Sequence, residues 1–314
     1  MFNIVVFSSS SFSIPLLNRL VAAKKFNIYI ITTPDQKKGR GQKKILNEIK
    51  LFAEEQKFIC IAPERLKTPE VLEQVKSFQP DFMMIASYGK LIPSSLFSLS
   101  KYASLNIHPS LLPKYRGASP VQAAILNGDI ETGVSIAEVT DRLDAGDIFA
   151  QEKTPIARDE YCEDLMNRLA HVGANLAIQT IENLTKGNLF KTPQNEAASS
   201  YAKKIEKDDG LIDWKCPAEM IYNQIRAYYP WPSAFTFLNG IRLKILEAKV
   251  CNDSSDATRT KTGTMTVKNK PPHLFVQTGD GSIEIVHLQP EGKTPITAVD
   301  FLNGYRLNTG DHLG

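Results

Sequence analysis

A chain of 314 residues is long enough for two domains with separate cores, and 42% hydrophobic with 23% charged residues is the balance of a globular protein, not of a disordered or fibrous one. A net charge of +3 is too small to identify a nucleic-acid binder as a total, so only its distribution informs. Cys60, Cys162, Cys216 and Cys251 form no Cys-x-x-Cys pair, the five histidines lack zinc-ligand spacing, no apolar run reaches a membrane span, and the N-terminus lacks a basic leader. A reduced, cytoplasmic protein is expected, with no metal, disulfide framework or membrane anchor.

From the N-terminus, strand-like runs at Ile4 to Phe7, Ile28 to Ile31, Phe58 to Ile61, Phe82 to Ala86 and Ala103 to Ile107 alternate with helical segments at 15–23, 43–56 and 69–78. Strands spaced by helices predict an α/β, Rossmann-like parallel sheet whose ligands bind beyond the C-terminal ends of the strands. The first strand leads into Phe7-Ser-Ser-Ser-Ser-Phe12, not a Gly-x-Gly-x-x-Gly turn, so a nicotinamide dinucleotide is not expected. After the second strand, residues 33–44 place Lys37, Lys38, Arg40, Lys43 and Lys44, with two glycines, at the ligand edge. Cations there would meet phosphate; a solvated basic loop is the ordinary alternative.

Asn106 and His108 lie two apart in the stretch running from Ser104 to Gly117. On a strand, Leu105 and Ile107 point into a core while Asn106 and His108 share the other face, and Pro109 ends the strand. An amide that donates to a developing oxyanion, beside an imidazole that moves a proton near neutral pH, suits acyl transfer to an amine. An edge-strand Asn with a core-bonded His is the bland alternative. The apolar run 134–139 then leads into Thr140-Asp-Arg-Leu-Asp-Ala-Gly-Asp-Ile148, which sets Asp144 in a tight Ala-Gly turn.

A helix is predicted from Glu160 to about Lys186, with Leu165, Leu169, Val172 and Leu176 on one face, His171 structural and Gly187 as its stop. Residues 189–208 read as a polar linker between a domain at 1–188 and a second at 209–314. The second domain opens with a helix at 217–228 and continues with strands at 233–238, 241–250, 263–267, 274–278 and 282–288, punctuated by Asn239-Gly240 and Gly279-Asp-Gly281. Five strands predict a small closed OB-like β-barrel. Between Arg242 and Lys270 there are seven Lys or Arg against three Asp or Glu, which predicts a positive side.

The segments Asn-Ile-His-Pro-Ser-Leu-Leu-Pro and Leu-Asp-Ala-Gly-Asp, in this order, resemble the folate-dependent formyltransferase family. The likeness extends through residues 201–214 to Asp300-Phe-Leu-Asn-Gly304. The resemblance implies that Asn106, His108 and Asp144 are the catalytic trio and that 10-formyltetrahydrofolate is the cosubstrate. It places the folate near Ala86, Ser87, Tyr88, Gly89 and Leu91, near Ser110, Leu111, Leu112 and Pro113, and near Val139, Thr140 and Asp141. Asn106 is expected to donate to the oxyanion, His108 to be a second partner of the oxyanion and to shuttle the proton, and Asp144 to orient His108 and relay the proton.

Family members that act on methionyl-tRNA carry a basic, glycine-containing loop where 33–44 stands, and Arg40 matches its principal arginine. Formylation of initiator Met-tRNA for translation initiation, by a monomer that holds the tRNA through Lys37, Lys38, Arg40, Lys43, Lys44 and Arg116, is therefore the implied function. The family commonly has glycine where Ser8 stands, which implies a different backbone near that turn. A sugar-nucleotide formyltransferase would share the trio, a folate hydrolase would use water in place of the amine, and a non-catalytic RNA-binding protein would need no trio.

Overall fold

The structure, a computed structural model, describes residues 1–38, 43–45, 47–188, 190–251, 261–269, 272–305, 307 and 309–314. The chain divides into two compact units: Met1–Pro120 with Glu131–Pro155 and Met166–Ala202, and Val121–Ile130 with Ile156–Leu165 and Lys203–Gly314. No helix among the described residues is long and apolar enough to cross a membrane.

The first part of the chain forms β1 (Phe2–Phe7), α1 (Ile14–Ala23), β2 (Phe26–Ile31), β3 (Gln36–Lys38), β4 (Lys43–Ile45), α2 (Glu48–Glu55), β5 (Ile59–Ile61), α3 (Pro69–Ser77), β6 (Phe82–Ile85), α4 (Ser94–Phe97), β7 (Ala103–His108) and β8 (Arg116–Gly117). It continues with α5 (Pro120–Leu126), β9 (Glu131–Glu138), β10 (Ile148–Pro155), α6 (Cys162–Thr185) and β11 (Tyr201–Ala202). One seven-stranded sheet runs in the order β10-β9-β7-β6-β1-β2-β5. It is parallel from β5 to β7, as expected, while β9 and β10 close it antiparallel. Residues Ile4 to Phe7 and Phe82 to Ile85 are buried without alternation, because helices cover both faces of a parallel sheet.

Two local signals fix the helix starts. Asn47 accepts the Ile49 amide hydrogen at 3.0 Å, so α2 begins at Glu48 and not at Lys43 as the sequence suggests; residues 43–45 pair with β3 instead. Thr68 caps α3 in the same way with Pro69 at its first position.

The polar stretch expected to open a linker is not a free connector. Thr192 bridges Ile148, the Ser200 carbonyl accepts from the Arg116 amide at 2.8 Å, and β11 pairs in parallel with β8. Its backbone at Thr192, Ser200 and Tyr201–Ala202 bonds to protein, a difference that composition does not reveal.

The second unit contains α7 (Ala218–Tyr228), β12 (Ala234–Leu238), β13 (Ile241–Cys251), β14 (Met265–Asn269), β15 (Pro272–Gln277), β16 (Ser282–Pro290), β17 (Ile296–Thr297) and α8 (Ala298–Gly304). All five expected strands are present, and β17 is an addition. Pairing is antiparallel throughout, in the order β12-β13-β16-β15-β14 with β17 on β16. Among the described residues the two ends of this ladder are not paired with each other, so the observed element is an antiparallel sheet. Asn239 and Gly240 both have positive φ, 49° and 78°, as the tight hairpin turn requires. Two of the cations on this sheet stack on aromatic rings: Arg242 lies 3.6 Å from the Phe235 ring centre and Lys268 4.8 Å from that of Phe275.

Candidate functional site

The strand β7 delivers its two polar side chains together, as its alternation predicts. Leu105 and Ile107 are buried, and Asn106 and His108 emerge at the C-terminal end of the sheet. Asn106 Nδ2 donates to Asp144 Oδ1 at 2.9 Å, and His108 Nδ1 stands 3.6 Å from Asp144 Oδ2. Both His108 and the Asp144 side chain are almost fully buried, at 5% and 8% exposure, which strengthens their mutual field.

The second nitrogen of His108 settles its tautomer. Nε2 lies 2.8 Å from the carbonyl oxygen of Tyr115, an atom that only accepts, so Nε2 carries a proton. In the neutral ring Nδ1 is then the lone-pair nitrogen, and it is the one turned toward Asp144. The Tyr115 carbonyl holds the imidazole from one side, and Asp144 Oδ2 faces it from the other.

Asp144 itself sits at φ 50°, and its turn is tight enough that a Cβ at Gly146 would collide with the Glu138 carbonyl. Its Oδ2 accepts the Gly117 amide hydrogen at 2.8 Å, so each carboxylate oxygen has a donor. Gly117, at φ 111°, is required there: a Cβ would lie 2.6 Å from the Ala202 carbonyl oxygen, and the β8–β11 pairing would open.

The segments expected to hold folate differ in exposure. Ser87, Gly89 and Leu91 are exposed, Ala86 is buried, Tyr88 and Val139 are half-buried, and Thr140 and Asp141 are exposed. Ser110 and Leu112 turn inward, and Leu111 and Pro113 are half-buried. The Ser110 hydroxyl donates to the Lys114 carbonyl at 2.6 Å, while Ser135 and Gln151 bond the backbone of Ser110 and Leu112. Ser110 therefore supports the turn by its side chain, with its hydroxyl proton committed to Lys114. The Tyr88 hydroxyl is buried without a partner, and burial pushes its pKa up to about 12, so it is a neutral donor at physiological pH. A cleft of about 350 Å3 opens beside this loop, lined by Ser9, Thr33, Pro34, Asp35, Gly89 and Lys90.

Arg116, expected on the tRNA surface, is a correction. It is fully buried, with its guanidinium on Gln194 Oε1 and on both carboxylate oxygens of Glu196. A phosphate could reach it only by displacing that set. Arg116 in turn holds the Glu196 carboxyl below the usual carboxylate range, with Arg142 adding to the effect. Of the basic loop, Lys37 and Lys38 lie on β3 and Lys43 and Lys44 on β4, paired antiparallel, while Arg40 lies outside the described residues.

Ser8 does not have the left-handed backbone that favours glycine, and its hydroxyl donates to Ser13 Oγ at 2.5 Å, so a side chain is accommodated there. Tyr115, Gly117 and Gln194 are site residues that the sequence does not single out. The first two act through backbone atoms, which leave no side-chain signal. Among the described residues no group of His, Cys, Asp and Glu is arranged to hold a metal ion.

The formyl transferase family model matches residues 2–181, and the formyl transferase C-terminal domain model matches residues 204–306. Methionyl-tRNA formyltransferase of Geobacter metallireducens is 36% identical over 312 residues, covering 99% of this chain and 98% of its own. Among solved structures, HypX from Aquifex aeolicus in complex with tetrahydrofolic acid superposes with a TM-score of 0.65 at 16% identity, and the chain spans 98% of its own length but 48% of that longer protein. Methionyl-tRNA formyltransferase from Clostridium thermocellum superposes with a TM-score of 0.60 at 20% identity, over 81% of this chain and 96% of that one. The chain belongs to the formyl transferase family.

Proposed function

We propose that this chain transfers a formyl group from 10-formyltetrahydrofolate to the α-amino group of methionine on initiator tRNA, acting as a cytoplasmic monomer in translation initiation. The observation that carries the reading is the trio at the tip of β7: an Asn amide tied to a buried carboxylate, and an imidazole whose open nitrogen faces the same carboxylate. Full-length similarity to methionyl-tRNA formyltransferases supports the choice of acceptor. The run of basic residues at 37–44 supports it independently, since a small acceptor needs no such run of cations.

The residues present suit a folate. The exposed edge from Ser87 to Leu91 and the Val139 to Asp141 turn offer backbone and apolar surface, and the unpartnered Tyr88 hydroxyl is a buried polar atom that a heteroaromatic ring can satisfy. When bound, the cosubstrate supplies an activated formyl group on a nitrogen that must be protonated to leave.

The chain's own residues do the rest. The Asn106 amide has two N–H groups; one is committed to Asp144, and the other donates to the formyl oxygen as negative charge builds there. His108 Nδ1 takes the proton released when the amine bonds to the formyl carbon, and returns it to the folate nitrogen as that nitrogen's bond to carbon breaks. Held by an N–H donor on each oxygen, Asp144 stands as a fixed negative charge beside the transient imidazolium.

Incubation of the purified protein with 10-formyltetrahydrofolate and Met-tRNA, followed by mass measurement of the released aminoacyl group, tests the reading. Gain of one formyl group is the expected result. Formylation of an amino sugar but not of Met-tRNA, or release of formate alone, would overturn it.

A further inference from the structure

Asp144 adopts a backbone conformation that residues with side chains seldom take, so the turn needs holding from outside. Gln194 holds it. Its Nε2 donates to the carbonyl oxygens of Asp144 at 2.8 Å and of Gly146 at 2.7 Å, one on either side of the turn. Its Oε1 accepts from Arg116 Nε at 3.0 Å and Nη2 at 2.8 Å.

Every donor and both acceptor positions of the Gln194 amide are thus used, and no other side chain of that length offers two donors and an acceptor in one plane. Arg116 is fixed on its far side by Glu196. The residue after it, Gly117, gives its N–H to the Asp144 carboxylate. The backbone of the turn and the carboxylate it carries are therefore both tied to the Arg116-Gly117 dipeptide, the first through Gln194 and the second directly.

We propose that Gln194 is a positioning residue for the reaction: anchored on Arg116, it sets where the Asp144 carboxylate stands relative to Asn106 and His108. It touches none of the reacting atoms and acts through Asp144. Its kinetic consequence rests on the formyl-transfer reading; its structural consequence does not.

The test is a mutant cycle in the full-length protein. Gln194→Met removes all four bonds at similar volume, and Gln194→Glu keeps the shape and the acceptor for Arg116 but has neither donor. Each should lower kcat by about tenfold or more while KM for the folate and for Met-tRNA stays within about twofold. In an Asp144→Asn background, Gln194→Glu should cost less than about twofold further, because a residue acting through Asp144 has nothing left to position. Unchanged kcat in both variants, or losses that multiply in the double variant, would overturn the proposal; a merely structural role would multiply. If Gln194→Met fails to fold, Gln194→Glu carries the test. A wild-type protein inactive on Met-tRNA would sink the functional reading alone. The positioning role would then be decided by a crystal structure of Gln194→Glu, in which an Asp144 turn unmoved from Asn106 counts against it.

Discussion

The carbonyl oxygen of Tyr115 lies 2.8 Å from His108 Nε2, and this one backbone group decides which imidazole nitrogen is open for chemistry. His108→Gln tests the consequence. Glutamine reproduces the donor to Tyr115 but has no basic nitrogen at the Nδ1 position. Folding should survive, with the melting temperature near wild type by calorimetry, while kcat falls by roughly 10² to 10⁴, the range for loss of a positioned acid–base group.

Asn106 and Asp144 should separate in their response to substitution. Asn106→Ala removes an oxyanion donor and should cost roughly 2 to 4 kcal/mol of transition-state stabilisation, with folate binding by titration almost unchanged. Asp144→Asn presents an NH2 group to one of two N–H donors, from Asn106 and Gly117, and so should cost activity of similar size and also melt earlier. An Asp144→Asn protein as stable as wild type would show that one of the two hydrogen bonds is dispensable.

Replacing Lys37, Lys38, Arg40, Lys43 and Lys44 by Ser should weaken tRNA affinity and flatten its salt dependence, by about 0.7 to 0.9 log units of slope for each phosphate no longer neutralised. Folate binding should be spared. Filter binding across a salt series measures affinity and slope together, and an unaltered slope would mark the hairpin as a solvated surface. Arg116 is excluded from this set, since it is buried against Gln194 and Glu196.

The Glu196 carboxyl, held low by Arg116, links the site to acid stability. A carboxyl whose folded pKa is depressed contributes stability that is present above its unfolded pKa and is lost as pH falls through the folded value. Wild type and Glu196→Gln should therefore differ in melting temperature at neutral pH and converge as pH falls from the ordinary glutamate range through the lowered folded value. A difference that persists in acid would place the contribution in packing instead of charge.

The trio was legible because its signals are side-chain signals: period-two alternation puts Asn106 and His108 on one face, and the Ala-Gly pair marks the turn at Asp144. The atoms that fix the trio were not, because the Tyr115 carbonyl and the Gly117 amide belong to the backbone, which every residue shares. Arg116 was misread for a related reason. A sequence shows charge but not whether that charge faces water, and the partners that let this one be buried, Gln194 and Glu196, lie some eighty residues away. Likewise the polar stretch after α6 looked like a tether, since polarity is the same whether the polar groups meet solvent or protein. The strands were found from apolar runs, but the antiparallel direction of β9 carries no mark in the composition of β9 itself.

The pairing of β11 with β8 has a consequence for the order of events in synthesis. Synthesis runs from the N- to the C-terminal side, so Asn106, His108 and Asp144 are made well before Gln194, Ser200 and Ala202. Until those last residues arrive, Arg116 has no carboxylate, the Tyr115 amide lacks the Ser200 hydroxyl, and the Asp144 turn has no clamp. A nascent chain therefore carries these three side chains before it carries what holds them, and the centre cannot be complete until residue 202 has emerged.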